Sequence, residues 1–216
     1  MGRWPRRWGV PGRRIVIATR NCGKVNEIRG ILGNLDVEVL SLNDFPDIES
    51  PDETGSSFEE NAVIKASHAA QASGLLSVAD DSGLEVDALG GLPGVRSARF
   101  AGEGASDEAN NRKLLGMLEG VPVDDRTARF KCCIAACAPD GKVETVTGTC
   151  EGLISFEPRG SGGFGYDPLF IIREDGRTFA EISVERKNRL SHRGNALRAI
   201  QPVLVRMLDM APTAGG

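Results

Sequence analysis

Several things are scarce in this chain, and each scarcity closes off a class of protein. Aromatic residues make up 5%, with two tryptophans, one tyrosine and two histidines among 216 residues. Such a chain has little material for a histidine-rich metal centre or for extended aromatic stacking. No apolar run approaches the ~20 residues that a transmembrane helix needs; the run at residues 15–18 is far too short. No fixed-period repeat or long low-complexity tract is present, so a solenoid or a fibre is excluded. The phosphate-loop pattern GxxxxGK[ST] is missing. Five cysteines (Cys22, Cys132, Cys133, Cys137 and Cys150) are an odd number without a CxxC pair. That argues against a disulfide framework and a structural zinc site, and points to a reducing cytoplasm. The three at 132–137 read as small core residues of a strand.

Charge is unevenly spread. Residues 1–14 hold five arginines, both tryptophans and no acid. The remaining chain carries 21 basic against 30 acidic residues, a poor surface for non-specific nucleic-acid binding, which rests on neutralising phosphates. The expected organisation is a basic extension over residues 1–13, one domain over 14–209 and a flexible tail over 210–216.

What is present alternates between strands and helices. Residues 14–19 form a β-branched run that reads as a buried strand. Next come a polar loop, Arg20-Asn-Cys-Gly-Lys24, and a helical spacing of apolar residues over 25–35. A strand, short loop and helix aim backbone N–H groups and the positive helix end at an anion, and Lys24 adds a full charge. An ordinary strand-to-helix turn with a solvated lysine fits the same pattern. Residues 37–40 read as a second strand, leading to an acidic loop over 47–55. Ser56 or Ser57, with Glu59 or Glu60 three residues on, caps a helix over 58–73. His68 lies on that helix and is assigned no chemistry.

A strand over 75–79 is expected to end in Asp80-Asp81-Ser82-Gly83. Two carboxylates at a strand's carboxyl end repel unless a cation or hydrogen bonds compensate, and ligands of open α/β sheets bind there. Magnesium held beside a carboxylate base is one reading; a capped turn is the other, and spacing does not choose. A helix over 106–118 and two strands, 126–138 and 143–154, joined by Pro139-Asp-Gly141, follow. Then Gly160, Gly162, Gly163 and Gly165 surround Phe164 and Tyr166, a loop that could offer aromatic faces to a planar base or turn them inward as core. Lys187, His192 and Arg193 gather donors before a closing helix that ends near residue 208.

Six runs in order resemble the inosine triphosphate pyrophosphatase family. They are Thr19-Arg-Asn-Cys-Gly-Lys24; Asp52-Glu-Thr-Gly55 with Phe58-Glu-Glu-Asn61; Ala79-Asp-Asp-Ser-Gly-Leu84; Gly91-Leu-Pro-Gly-Val95 with Ser97-Ala-Arg99; Gly162-Gly-Phe-Gly-Tyr-Asp-Pro168; and Ser191-His-Arg-Gly194. Each alone is weak, and together they span residues 14–205. The resemblance implies an elongated, two-lobed α/β fold with a long mixed sheet flanked by helices and a cleft between the lobes, assembled as a homodimer. It implies hydrolysis of purine nucleoside triphosphates with a damaged base, with Mg2+ as cofactor. By the same resemblance Thr19, Arg20, Asn21, Cys22, Gly23 and Lys24 hold the triphosphate. Asp81 is the general base and a metal ligand, helped by Asp52 or Glu53, and Ser82 touches the substrate. Phe164, Gly165, Tyr166 and Asp167 cradle the base, and Lys187, His192 and Arg193 complete the site. Arg96 and Arg186 depart from the family pattern beside the site, and the basic extension has no counterpart in it. A pyrophosphatase for modified pyrimidine nucleotides, a non-catalytic nucleotide sensor and a nucleic-acid module are the rival readings.

Overall fold

The computed structural model describes residues 13–32 and 37–210. The basic segment up to residue 12, with Trp4 and Trp8, the predicted helix end at Leu35, and residues 211–216 lie outside the described residues. Among the described residues six strands form one mixed sheet: β1 (Arg14–Ile17), β2 (Glu38–Ser41), β3 (Leu76–Val86), β4 (Thr127–Cys137), β5 (Val143–Ile154) and β6 (Phe170–Ile172). Their order across the sheet is β2-β1-β3-β4-β5-β6. β1 pairs parallel with β2 and β3, and every later pairing is antiparallel. Among the described residues five α-helices flank it: α1 (Cys22–Leu32), α2 (Phe58–Ser73), α3 (Asp107–Met117), α4 (Val184–Leu190) and α5 (His192–Met210). Among the described residues no helix is long and apolar enough to cross a membrane.

Alternation along β3 divides the core. Side chains of successive strand residues point to opposite faces. Leu76 and Val78 join Ile15, Ile17 and Ile134 beneath α1 and α5. Ala79 faces the other way, with Val16, Cys133 and Ala135, under the small-residue stripe Ala62, Ala66, Ala69 and Ala70 of α2. Further along β3, Leu84 and Val86 return to the first face and enter a separate core with Phe130, Phe170, Phe179 and residues of α3. Each fully buried Leu, Ile or Phe in these cores contributes about 1.5–3 kcal/mol. Between the two cores that share the α5 face, the row on β3 is interrupted by Asp80 and Ser82. That polar gap is the cleft between the lobes.

α2 begins and ends where its sequence dictates. Ser57 Oγ accepts from the Glu60 backbone N–H at 3.1 Å, and Glu60 accepts from the Ser56 N–H at 2.6 Å. Gly74 closes it in the left-handed region at φ 69°. Three expectations are corrected. α1 starts at Cys22 rather than 25, because Asn21 Oδ1 accepts from the Gly23 and Lys24 N–H groups and caps it. The stretch around Lys187, read from sequence only as donors ahead of the closing helix, is itself a helix, α4, capped by Ser183. Most consequentially, β3 does not stop at Ala79. It runs on to Val86, in register with β4 (Asp80↔Ile134, Asp81↔Cys133).

Candidate active site

Because Asp80 and Asp81 are consecutive in a strand, they occupy opposite faces of the sheet and do not form one carboxylate pair. On the α5 face, Asp80 is 5% exposed and fully engaged. Lys24 Nζ donates to both its oxygens, at 3.1 and 3.0 Å, and Arg193 Nε donates at 3.2 Å. Burial alone would raise its carboxyl; the charges of Lys24 and Arg193 hold it well below the usual carboxylate range. On the α2 face, Asp81 accepts from Lys65 Nζ at 3.0 Å and from Asn61 Nδ2 at 3.3 Å. Burial pushes Asp81 up, Lys65 only partly opposes it, and the charge of Glu53 adds to the rise. Lys65 also donates to Glu53 at 3.1 Å. Burial would lower this lysine, but Asp81, Glu53 and Asp80 together raise it, so it stays cationic.

A cavity of about 150 Å³ opens beside this group, with Thr19, Arg20, Lys24, Glu53, Lys65 and Asp80 in its wall. Here are the phosphate-binding candidates, with differences. The Arg20 guanidinium donates to the carbonyls of Leu42 at 2.9 Å and Ile48 at 2.7 Å, so it pins the loop after β2. Asn21 is spent on the cap of α1, and Cys22 and Gly23, both exposed, stand outside the wall. Asp52 is exposed and Glu53 is tied to Lys65. Among the described residues no group of three or more His, Cys, Asp or Glu converges as a metal site, so the expected set of Asp81, Asp52 and Glu53 is not gathered. What is gathered is Glu53 and Asp81 around one ammonium.

A second cavity of about 150 Å³ lies on the α5 face, bounded by Ser82, Phe130, Phe164, Tyr166, His192 and Arg193. Residue 83 of β3, in its wall, is glycine because the 94–97 turn packs against it. A Cβ there would lie 2.7 Å from the Gly94 carbonyl and overlap Ser97 Oγ, the group that accepts from the Leu84 N–H at 2.9 Å. His192 packs flat on Phe130, centroids 4.8 Å apart at 12°. Burial, then the charges of Arg193 and Lys187, keep it far below an ordinary histidine, so it is neutral. Its Nδ1 is buried without a hydrogen-bond partner. Arg193 Nη2 donates to Ser82 Oγ at 3.1 Å.

The glycine loop splits the two aromatics that the sequence offers to a base. Phe164 is 61% exposed with Lys187 Nζ 4.7 Å from its ring centre. Tyr166 is 5% exposed and core; its hydroxyl donates to the Ser97 carbonyl at 2.8 Å. Asp167 accepts from the Phe164 N–H at 2.9 Å and from Lys187, and it lies so near Gly163, at φ 76°, that a Cβ there would overlap it. Asp167 and Lys187 therefore brace the loop. α3 does the same: Asp107 accepts from the Gly165 N–H at 2.6 Å and Asn111 donates to the Gly165 carbonyl at 3.0 Å. Arg96 lines another cavity, with Glu85 and Lys131, and Arg186 pairs with Asp175 at 2.9 Å.

Lys65 and the brace from α3 are absent from the sequence reading, and Asn61 stands there within a motif but without a role. The signal for Lys65 and Asn61 was in the helix period: Asn61, Lys65 and His68 are four and three residues apart, one face of α2. His68, given no chemistry from sequence, also lines the phosphate-side cavity.

The Ham1 family model matches residues 15–203 of the chain, beginning past the basic segment. A protein from Geobacter sulfurreducens named dITP/XTP pyrophosphatase is 57% identical over 188 residues, covering 87% of this chain and 94% of that one. One of the same name from Desulforamulus reducens is 53% identical over 194 residues, covering 90% and 96%. Among solved structures, a HAM1 protein from Coxiella burnetii superposes with a TM-score of 0.84 at 42% identity, over 90% of this chain and 99% of that one. The Ham1 protein of Staphylococcus aureus gives 0.83 at 44%, over 90% and 100%. With the family model covering most of its length and relatives above half identity, the chain belongs to the Ham1 family.

Proposed function

We propose that this protein hydrolyses inosine, deoxyinosine and xanthosine triphosphates to the monophosphate and pyrophosphate, with Mg2+ as cofactor. The relatives named dITP/XTP pyrophosphatase support the activity. The single observation that carries the reading is a mainly apolar, ring-stacked cavity on one side and a lysine-bearing polar cavity on the other, joined through β3. The base slides between the His192–Phe130 stack and Phe164, and the polyphosphate extends toward Lys24 and Thr19.

Glu53 and Asp81, both now on the Lys65 ammonium, would hold the divalent ion once Lys65 turns to a phosphate, since magnesium is commonly held by one or two carboxylates plus substrate phosphates; it would supply charge neutralisation and a more acidic water. Asp81 takes the proton of the attacking water. Its carboxyl, raised by burial, is a better base than an exposed aspartate. Lys24 and Lys65 neutralise the phosphates as the anhydride between the first and second phosphorus opens and pyrophosphate departs. Selectivity comes from the Arg193 guanidinium and from the buried, unpartnered Nδ1 of His192, a donor when the neutral ring carries its proton there. A purine 6-carbonyl accepts from donors there, whereas a 6-amino group meets them donor to donor. Each buried donor left unpaired costs about 1–3 kcal/mol. Two such mismatches, about 2–6 kcal/mol, give about thirtyfold to 10⁴-fold between inosine and adenosine triphosphates. We extend the family resemblance to a homodimer and a cytoplasmic location.

The test is pyrophosphate release from inosine, xanthosine, deoxyinosine, adenosine and guanosine triphosphates, with and without magnesium. Comparable kcat/KM for inosine and adenosine triphosphates would overturn the pocket assignment.

A further inference from the structure

Lys24, Asp80, Arg193 and Ser82 form one polar chain that passes through the sheet's α5 face from one cavity to the other. Lys24 and Asp80 line the phosphate cavity; Ser82 and Arg193 line the base cavity. Asp80 is the middle of the chain, its side chain 3% exposed, as is Arg193's at 5%. It holds Lys24 from α1 at 3.0 Å and Arg193 from α5 at 3.2 Å. Lys24 is the more accessible of its two partners, with a quarter of its side chain exposed. An incoming polyphosphate therefore competes with Asp80 for Lys24, the ammonium being a rotatable three-donor group. What Asp80 loses there leaves its oxygens to Arg193, whose planar guanidinium is then held harder in position beside the base.

We infer that Asp80 is a positioning residue that couples the two cavities, so that occupying the phosphate cavity tightens recognition of the base. The inference rests on the function proposed above. Coupling between binding sites is reciprocal, so it is measurable without turnover. The probes are inosine, a neutral nucleoside that adds no phosphate–phosphate repulsion, and inorganic pyrophosphate. In the wild-type protein with magnesium, saturating pyrophosphate should tighten inosine binding by at least about fivefold, the lower end of ordinary coupling. A change of less than about twofold overturns the inference. Asp80→Asn keeps the shape and removes the charge. It should abolish the pyrophosphate effect and lower the inosine-to-adenosine ratio of kcat/KM at least about tenfold, although Asp80 lies outside the base cavity and Asp81 is intact. A purely structural role would lower the melting temperature while leaving both the coupling and the ratio at wild-type values, and that result refutes the inference. If the variant does not fold, the wild-type titration decides alone. Wild-type protein that releases no pyrophosphate from inosine triphosphate defeats the proposed function; a ratio unmoved by Asp80→Asn in an active enzyme defeats only this coupling.

Discussion

Asp81→Asn separates the chemistry of the site from its architecture. Asparagine keeps the size and an acceptor oxygen for Lys65 or Asn61, which now approach the carboxylate at 3.0 and 3.3 Å, but it cannot take the proton of water. Losing a general base typically costs ~10²–10⁴ in rate, or about 3–5 kcal/mol of barrier at 1.36 kcal/mol per tenfold. Stability should move little. The folded state holds the Asp81 proton more tightly than the unfolded chain does, because burial outweighs Lys65. The ionised group therefore costs stability as pH rises from the ordinary 3.8 through the raised value. At neutral pH that cost is present in the wild type and absent in the variant. The variant should therefore melt no more than a few degrees away, at about 2–4 °C per kcal/mol for a chain of this size. The assays are pyrophosphate release from inosine triphosphate, calorimetric melting, and titration of the nucleotide into the near-inactive variant, which should still bind. Turnover within about fivefold of wild type would remove Asp81 from the chemistry. A large fall in melting temperature would make it a structural residue instead.

Without magnesium, Lys65→Met should raise the pH at which the Asp81 carboxyl titrates, since it removes the main group pulling Asp81 down and leaves burial and Glu53 pushing it up; an unmoved carboxyl in an NMR titration of the metal-free variant would refute that balance. Tyr166→Phe should lower stability by about 1–3 kcal/mol by orphaning the Ser97 carbonyl, about 2–12 °C in melting temperature, with base selectivity intact. Altered selectivity at an unchanged melting temperature would give the Tyr166 hydroxyl a direct part in the cavity that Tyr166 lines.

Local signals were readable and distant ones were not. The helix over 58–73 and its cap follow from Ser56-Ser-Phe-Glu-Glu60 alone, and the structure places α2 over the same residues. The hairpin of β4 and β5 is likewise written in two apolar runs around Asp140-Gly141. The end of β3 was misplaced because Asp-Asp-Ser-Gly has the composition of a turn. Only the lysines and the arginine delivered by α1, α2 and α5 let a strand carry those charges, and no local window contains them. The same holds for Tyr166, whose inward turn depends on a carbonyl 69 residues away. Motif order identified the residues around the cleft. It could not assign faces, so Asp80 and Asp81 read as one pair and Lys65 went unseen.

The ion pairs of Asp80 also set a schedule for biosynthesis. Its arginine lies 113 residues downstream, so at about 5–20 residues per second a ribosome delivers that partner roughly 6–23 s after the carboxylate. Until then β1 and β3 can pair and α2 can dock, but the strand carries a carboxylate with half of its compensation. A nascent chain should thus acquire its sheet before it acquires a nucleotide site. Nucleotide in the cell can then act on the finished chain only, as a late stabiliser rather than a template for folding.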